Sequence, residues 1–245
     1  AVSALEGTTD PTTLSALVYS LRQDKDSDVR KHAARALTGT TDPTTLFALI
    51  DSLTLKQDKD SGVRAAAVSA LEGTTDPTAL SALVYSLRQD EDYWVRKWAA
   101  KALKGTTDPT ALSALVAALG DKDSNVQRAA QEALEGTTDP TTLSTLTHFL
   151  ILSKYSWVRK HAARALTGTT DPEALSALTD SLRQDEDSGV RKCTASALKG
   201  TTNPTALSAL VAALGDKDSN VRECAARALK GTTDPTALSA LVAAL

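Results

Sequence analysis

The sequence predicts an all-α fold, a right-handed α-solenoid (superhelix) of seven two-helix repeats with a half repeat at each end. Three observations predict it. The string Gly-Thr-Thr-Asp-Pro, once with Asn in place of Asp, begins at residues 7, 39, 73, 105, 136, 168, 200 and 231, at intervals of 31 to 34 residues. All eight prolines of the chain sit in that string. Between successive strings lie two stretches with helical spacing of apolar residues, joined by a short polar link. Neither stretch can bury its apolar stripe alone, so neighbouring repeats must stack to form a continuous core. Residues 1–245 are accordingly expected to form a single solenoid domain.

The first helix of each repeat, helix A, has a legible start. Asp10 is a good N-cap, and Pro11 follows at the first helical position, where its missing N–H costs nothing. Leu14, Leu17, Val18 and Leu21 then share one face. The link Gln23-Asp24-Lys25-Asp26 ends on a second N-cap, Asp26. In helix B, Val29, Ala33, Ala36 and Leu37 form the apolar face, and Gly39 supplies the left-handed residue that ends the helix. The second repeat lengthens its link by Thr54 and Leu55. The fifth replaces the polar link with Leu150-Ile151-Leu152-Ser153-Lys154-Tyr155. Ala1–Leu5 matches the last turns of a helix B and Pro235–Leu245 matches a helix A; the open half repeats are expected of a fragment of a longer array, and the alternative is head-to-tail self-association between copies.

Composition narrows the function. The chain is 42% hydrophobic, 23% charged and 4% aromatic, with a net charge of −3. That is globular, and no apolar run reaches the ~18 residues of a membrane span. No global field draws the chain to lipid or nucleic acid. The two cysteines, Cys193 and Cys224, make no disulfide framework, and a reduced, cytoplasmic protein is expected. Phosphate-loop, dinucleotide, nucleophile-elbow and His-Glu-x-x-His motifs do not occur.

The repeats can be compared column by column. Counting from the valine of helix B at about 100° per residue, offsets 0, +4, +7 and +8 are nearly constant, whereas −1, +2, +3 and +6 vary. The constant columns read as scaffold and the varying ones as surface. The +1 column is Arg30, Arg64, Arg96, Gln127, Arg159, Arg191 and Arg222, and the links carry paired aspartates. This predicts an Asp–Arg ladder tying each repeat to the next, with exposed rungs contributing ~0.2–1 kcal/mol each. The ladder breaks at Gln127, Ser153 and Tyr155. The +3 column holds His32, His161, Cys193 and Cys224, but adjacent repeats about 8–10 Å apart are too far for shared metal ligation at ~2.0–2.3 Å. No metal or cofactor is expected.

All the tryptophans fall in the varying columns: Trp94 and Trp157 at −1 and Trp98 at +3. Tyr93 and Tyr155 begin the same B helices. Tyrosine and tryptophan are enriched at interface hot spots. Columns +2 and +6 add Lys31, Arg35, Lys97, Lys101, Arg128, Lys160, Arg164, Lys192 and Arg227, against Glu132 and Glu223, with Asp28 at −1. The expected partner-binding residues are Tyr93, Trp94, Lys97, Trp98, Lys101, Arg128, Tyr155, Trp157, Lys160, His161 and Arg164. A basic, aromatic face suits a protein with an acidic surface. The alternative occupant is nucleic acid.

The phrase Asp-Ser-x-Val-Arg-x-x-Ala-Ala-x-Ala-Leu, followed by Gly and a Pro-initiated helix, resembles the short HEAT-like repeats of the phycobilisome-lyase class. It is also similar to the artificial alpha-repeat binding scaffolds built on that pattern. The resemblance covers essentially the whole chain. It implies a superhelix with A helices outside and B helices lining the concave surface, hence a non-catalytic protein-binding scaffold, with bilin-lyase-like chromophore or cofactor handling as a further alternative. The HEAT-like deoxyhypusine hydroxylases bind iron through His-Glu dipeptides, and no histidine here precedes Glu.

Overall fold

The computed structural model describes residues 8–53, 58–235, 238–239 and 242. Among them are fourteen α-helices and no strand. The A helices are α1 (Pro11–Gln23), α3 (Pro43–Ser52), α5 (Pro77–Gln89), α7 (Pro109–Ala118), α9 (Pro140–Leu152), α11 (Pro172–Gln184) and α13 (Pro204–Ala213). The B helices are α2 (Ser27–Ala36), α4 (Ser61–Ala70), α6 (Tyr93–Ala102), α8 (Ser124–Leu134), α10 (Ser156–Ala165), α12 (Ser188–Ala197) and α14 (Ser219–Ala228). Seven A–B repeats therefore form an all-α solenoid. The half repeat at Ala1–Leu5 and the inserted Thr54 and Leu55 lie outside the described residues. Of the final stretch, Pro235, Leu238, Ser239 and Val242 are helical.

The chain divides into two compact units, residues 1–133 and 134–245. Each is built in two layers. In the first unit α1, α3, α5 and α7 pack in succession, and α2, α4 and α6 form the second layer, each against the A helix of its own repeat. In the second, α9, α11 and α13 form one layer and α10, α12 and α14 the other.

The core follows the constant columns. Ala33, Ala67, Ala99, Ala162 and Ala225 at +4 are fully buried, as are Leu37, Leu71, Leu103, Leu166 and Leu229 at +8. Alanine lets B helices approach closely, while each buried leucine contributes ~1.5–3 kcal/mol through removal from water.

The repeated string builds the edge of every repeat. The first threonine accepts the N–H of the capping residue, as in Thr40 Oγ1 from Asp42 N–H at 3.2 Å. That carboxylate then caps helix A by accepting the Thr45 N–H at 2.8 Å. Gly39 has φ +75°, a conformation open to glycine without steric cost. The turn aims its N–H at the Ala70 carbonyl of the next repeat, 3.3 Å away. Gly73 to Ala102, Gly168 to Ala197 and Gly200 to Ala228 repeat this bond.

The Asp–Arg ladder is present, but its rungs are buried, which corrects the expectation of exposed pairs. Arg64 is the clearest case, with Nε 2.8 Å and Nη2 2.9 Å from the two oxygens of Asp90. Its Nη1 donates to the Asp58 and Lys59 carbonyls of its own link. Asp90 Oδ1 also accepts the Asp92 N–H at 2.9 Å. The two side chains are 1% and 3% exposed. Arg30–Asp58, Arg96–Asp121, Arg159–Asp185 and Arg191–Asp216 repeat the fork. In each fork every guanidinium nitrogen has an acceptor, as a buried charge requires. The aspartate hydrogen bond raises the arginine pKa in each of these rungs.

Candidate partner-binding surface

The predicted site residues fall into two groups, one in each unit. In the first unit, Asp92 caps α6 by accepting the Trp94 N–H at 2.8 Å, which sets the helix start and places Trp94 at its first turn. Trp94 and Trp98, one turn apart, meet edge to face with centroids 6.1 Å apart. Tyr93 meets Trp94 in the same way at 6.2 Å. Lys97 Nζ lies 4.3 Å from the Trp94 ring centroid and Lys101 Nζ 5.0 Å from that of Trp98. Tyr93 and Trp94 remain 43% and 41% exposed, while Trp98 is half-buried. Five of the predicted residues thus form one continuous cluster. Arg128, on α8, is exposed and donates to Asn125 Oδ1 at 3.3 Å.

In the second unit Tyr155 and Trp157 stack at 6.0 Å, and Lys154 Nζ lies 4.9 Å from the Tyr155 ring centroid. Tyr155 stands where other B helices have a capping aspartate, and it makes no side-chain cap. Ile151 and Leu152 are exposed beside it in sequence. Lys160 behaves differently from its sequence assignment. Its Nζ is 3.0 Å from Asp187, the cap of α12, so its charge is engaged within the scaffold. That hydrogen bond holds the Asp187 carboxyl down to about 2, with help from Ser156 and the Val190 N–H. Gly189 makes room for this contact, since a Cβ there would meet Lys160 Cε at 2.5 Å. His161 is half-buried, and burial, then the nearby Arg164 charge, lowers its pKa. Arg164 is exposed.

The columns are therefore less uniform than their variation suggests. At +3, Ala66, Ala129, Cys193 and Cys224 are buried and Trp98 and His161 half-buried, so most of this flank is covered, while His32 is exposed. Both cysteines are buried free thiols. Arg227 is engaged by Glu223 at 2.5 Å. The first unit keeps the more available cations.

The broken rung is a matched pair of losses. Gln127 Nε2 keeps only the link contact, donating to the Asp121 carbonyl at 2.6 Å. By the register of the other rungs, its acceptor position is Ser153, which has no carboxylate. Ser153 Oγ instead accepts the Tyr155 N–H at 3.3 Å. Donor and acceptor charges are absent together.

A second set of exposed rings was missed. Tyr19, Phe47 and Tyr85 project from α1, α3 and α5, with the Arg22 guanidinium 5.5 Å from the Phe47 centroid. Comparing helix A columns would have found them, because Phe47 replaces a serine present at that position in every other full repeat, Ser15 and Ser81 among them. Open clefts recur between successive Gly-Thr-Thr-Asp-Pro loops. They are lined by scaffold residues that barely change between repeats, such as Thr40 and Thr45 in one and Thr74 and Thr110 in another.

These repeats match the HEAT repeats family over residues 1–71, 53–135, 114–199 and 182–245, and the chain belongs to that family. No curated protein matches it. Among solved structures it is similar to the complex of CpcE and CpcF of phycocyanin lyase from Nostoc sp., at 22% identity and TM-score 0.51, covering 98% of this chain and 97% of that one. It is similar to importin beta at 14% identity and TM-score 0.59, covering 96% of this chain but only 38% of importin beta. An engineered protein shares 24% identity at TM-score 0.45, with 99% of this chain and 80% of that one covered. No helix among the described residues is long and apolar enough to cross a membrane.

Proposed function

We propose that the chain, read as one repeat domain over 1–245, is a non-catalytic scaffold that binds another protein through the concave face formed by the second helix, helix B, of each repeat. The observation that carries this reading is the α6 cluster. Tyr93 and Trp94 leave over two-fifths of their surface in water, on a helix whose scaffold positions are alanine, valine and leucine. Exposed aromatic surface of this kind lowers stability and solubility, and contact with a partner offsets the cost. Lys97 and Lys101 add charge to the rings without ion-pair partners among the described residues. Tyr155, Trp157 and Arg164 provide a second contact region on the other unit. The loop clefts repeat from one repeat to the next, which suits scaffold and not a single catalytic centre.

The test is the Trp94→Ala/Trp98→Ala variant, checked for its fold by circular dichroism. Loss of a co-purifying protein partner supports the reading, and unchanged binding by the folded variant removes it. Nucleic acid is the competing occupant. It predicts affinity falling steeply with salt as counterions are released.

A further inference from the structure

We propose that α2, α4 and α6 of the first unit form a docking trough for an extended acidic segment of another protein, one that also carries an aromatic or large aliphatic residue. This rests on the protein-binding reading above and names the chemistry of its partner.

The trough comes from an interruption in the surface columns. α4 packs between α2 and α6. At the four varying positions it carries only Gly62, Ala65, Ala66 and Ser69, of which Ala65 and Ala66 are buried and Gly62 and Ser69 half-buried. Nothing there is longer than a hydroxymethyl group. α2 presents Lys31, His32 and Arg35 at the matching positions, and α6 presents its tryptophans and lysines. A low strip therefore runs between two tall walls. Where a Cβ at Gly62 would stand, Asp60 Oδ1 lies 2.9 Å and Lys31 Cδ 3.8 Å away; the Asp60 oxygen is already engaged by the Gly62 and Val63 N–H groups that it caps. Helix axes about 8–10 Å apart put the axes of α2 and α6 about 16–20 Å apart, with their long side chains narrowing the strip between them.

Charge selects the occupant. Lys31, Arg35, Lys97 and Lys101 have no carboxylate within ion-pair distance among the described residues. Cations elsewhere are divided: in the same columns Lys160 and Arg227 meet carboxylates, whereas Arg128, Arg164 and Lys192 have none within ion-pair distance among the described residues. The ladder arginines hold aspartates, and Lys160, in the column of Lys31, holds Asp187. The opposing carboxylates are Asp28 on α2, Glu72 in the turn after α4, and the caps Asp26, Asp60 and Asp92, each of which already accepts a backbone N–H of its own helix. The rings add the apolar component. Lysine already covers one face of Trp94 and of Trp98, which disfavours a cationic ligand and places an ammonium beside any apolar group docking on the rings. The rings meet edge to face, so no parallel pair stands ready to sandwich a nucleobase.

The experiment is selection of random peptides displayed on phage against the immobilised full chain, after depletion on Trp94→Ala/Trp98→Ala. Sequences combining Asp or Glu with Phe, Tyr, Trp, Leu or Ile are the expected product. A synthetic peptide of that consensus loses about tenfold or more in affinity for Lys97→Gln/Lys101→Gln, equivalent to about 1.4 kcal/mol or more. It loses similarly for Ser69→Glu, which fills the strip with a residue type the scaffold carries at Glu132. Enrichment of basic or uncharged peptides overturns this inference while leaving the protein-binding reading in place. No enrichment over the depleted variant overturns both. Binding of an oligothymidylate more tightly than the consensus peptide at physiological salt assigns the face to nucleic acid instead.

Discussion

Replacing Asp90 with Ser strands the Arg64 guanidinium, whose side chain is 1% exposed. Two bonds, at 2.8 and 2.9 Å, disappear, while Nη1 keeps the Asp58 and Lys59 carbonyls. An uncompensated buried charge of this kind costs about 3–5 kcal/mol. Arg64→Gln is expected to cost a similar amount from the other side, because Asp90 is left with only the Asp92 N–H. The double variant Arg64→Gln/Asp90→Ser reproduces the residues found at 127 and 153. It leaves no charge unpaired, and the remaining loss of hydrogen bonds is about 1–2 kcal/mol. The double variant should therefore be more stable than either single one, with a coupling of at least about 3 kcal/mol. The assay is a double-mutant cycle in urea, with amide hydrogen exchange of α4 and α6 reporting the local stability, because repeat arrays open piecewise. Additivity of the two single effects within about 0.5 kcal/mol refutes the buried-rung argument.

Asp187 provides a pH test. Its folded pKa of about 2 lies below the unfolded value, so its stabilisation is complete above about pH 4 and is lost as pH falls toward 2. The site is partly exposed, so the contribution is on the order of 1–2 kcal/mol, and Asp187→Asn should flatten this acid limb of the stability curve. Gly189→Ala should push Lys160 aside and let the Asp187 pKa rise toward 3.8; an unchanged carboxyl titration by NMR means the lysine is not held as described. Trp94→Ala should change stability by less than about 1 kcal/mol, since the ring is partly in water. The adjacent, fully buried Val95→Ala should cost about 1–3 kcal/mol in urea unfolding. Equal effects of the two mean that Trp94 is a packing residue.

The local grammar of each repeat was legible in the sequence because it depends on contacts only a few residues apart. Asp10 and Asp26 cap their helices, Pro11 starts one and Gly39 ends one through its left-handed turn. The apolar columns were equally legible, because helical periodicity places Val, Ala and Leu on one face whatever that face meets. The ladder was readable as a pairing of residue types from its repetition. Its burial was not, because the environment of Arg64 and Asp90, 26 residues apart, depends on how successive repeats pack. The aromatic cluster of α6 was visible from spacing, since Trp94 and Trp98 are neighbours on any helix.

Tertiary structure decided which surface charges are available. Lys31 and Lys160 occupy the same column, yet only Lys160 meets a carboxylate. The strip on α4 likewise becomes a trough only because α2 and α6 flank it with long side chains. A single sequence determines which residues each helix displays. The packing of helices from different repeats determines which of those residues are already used, and therefore what remains for a partner to bind.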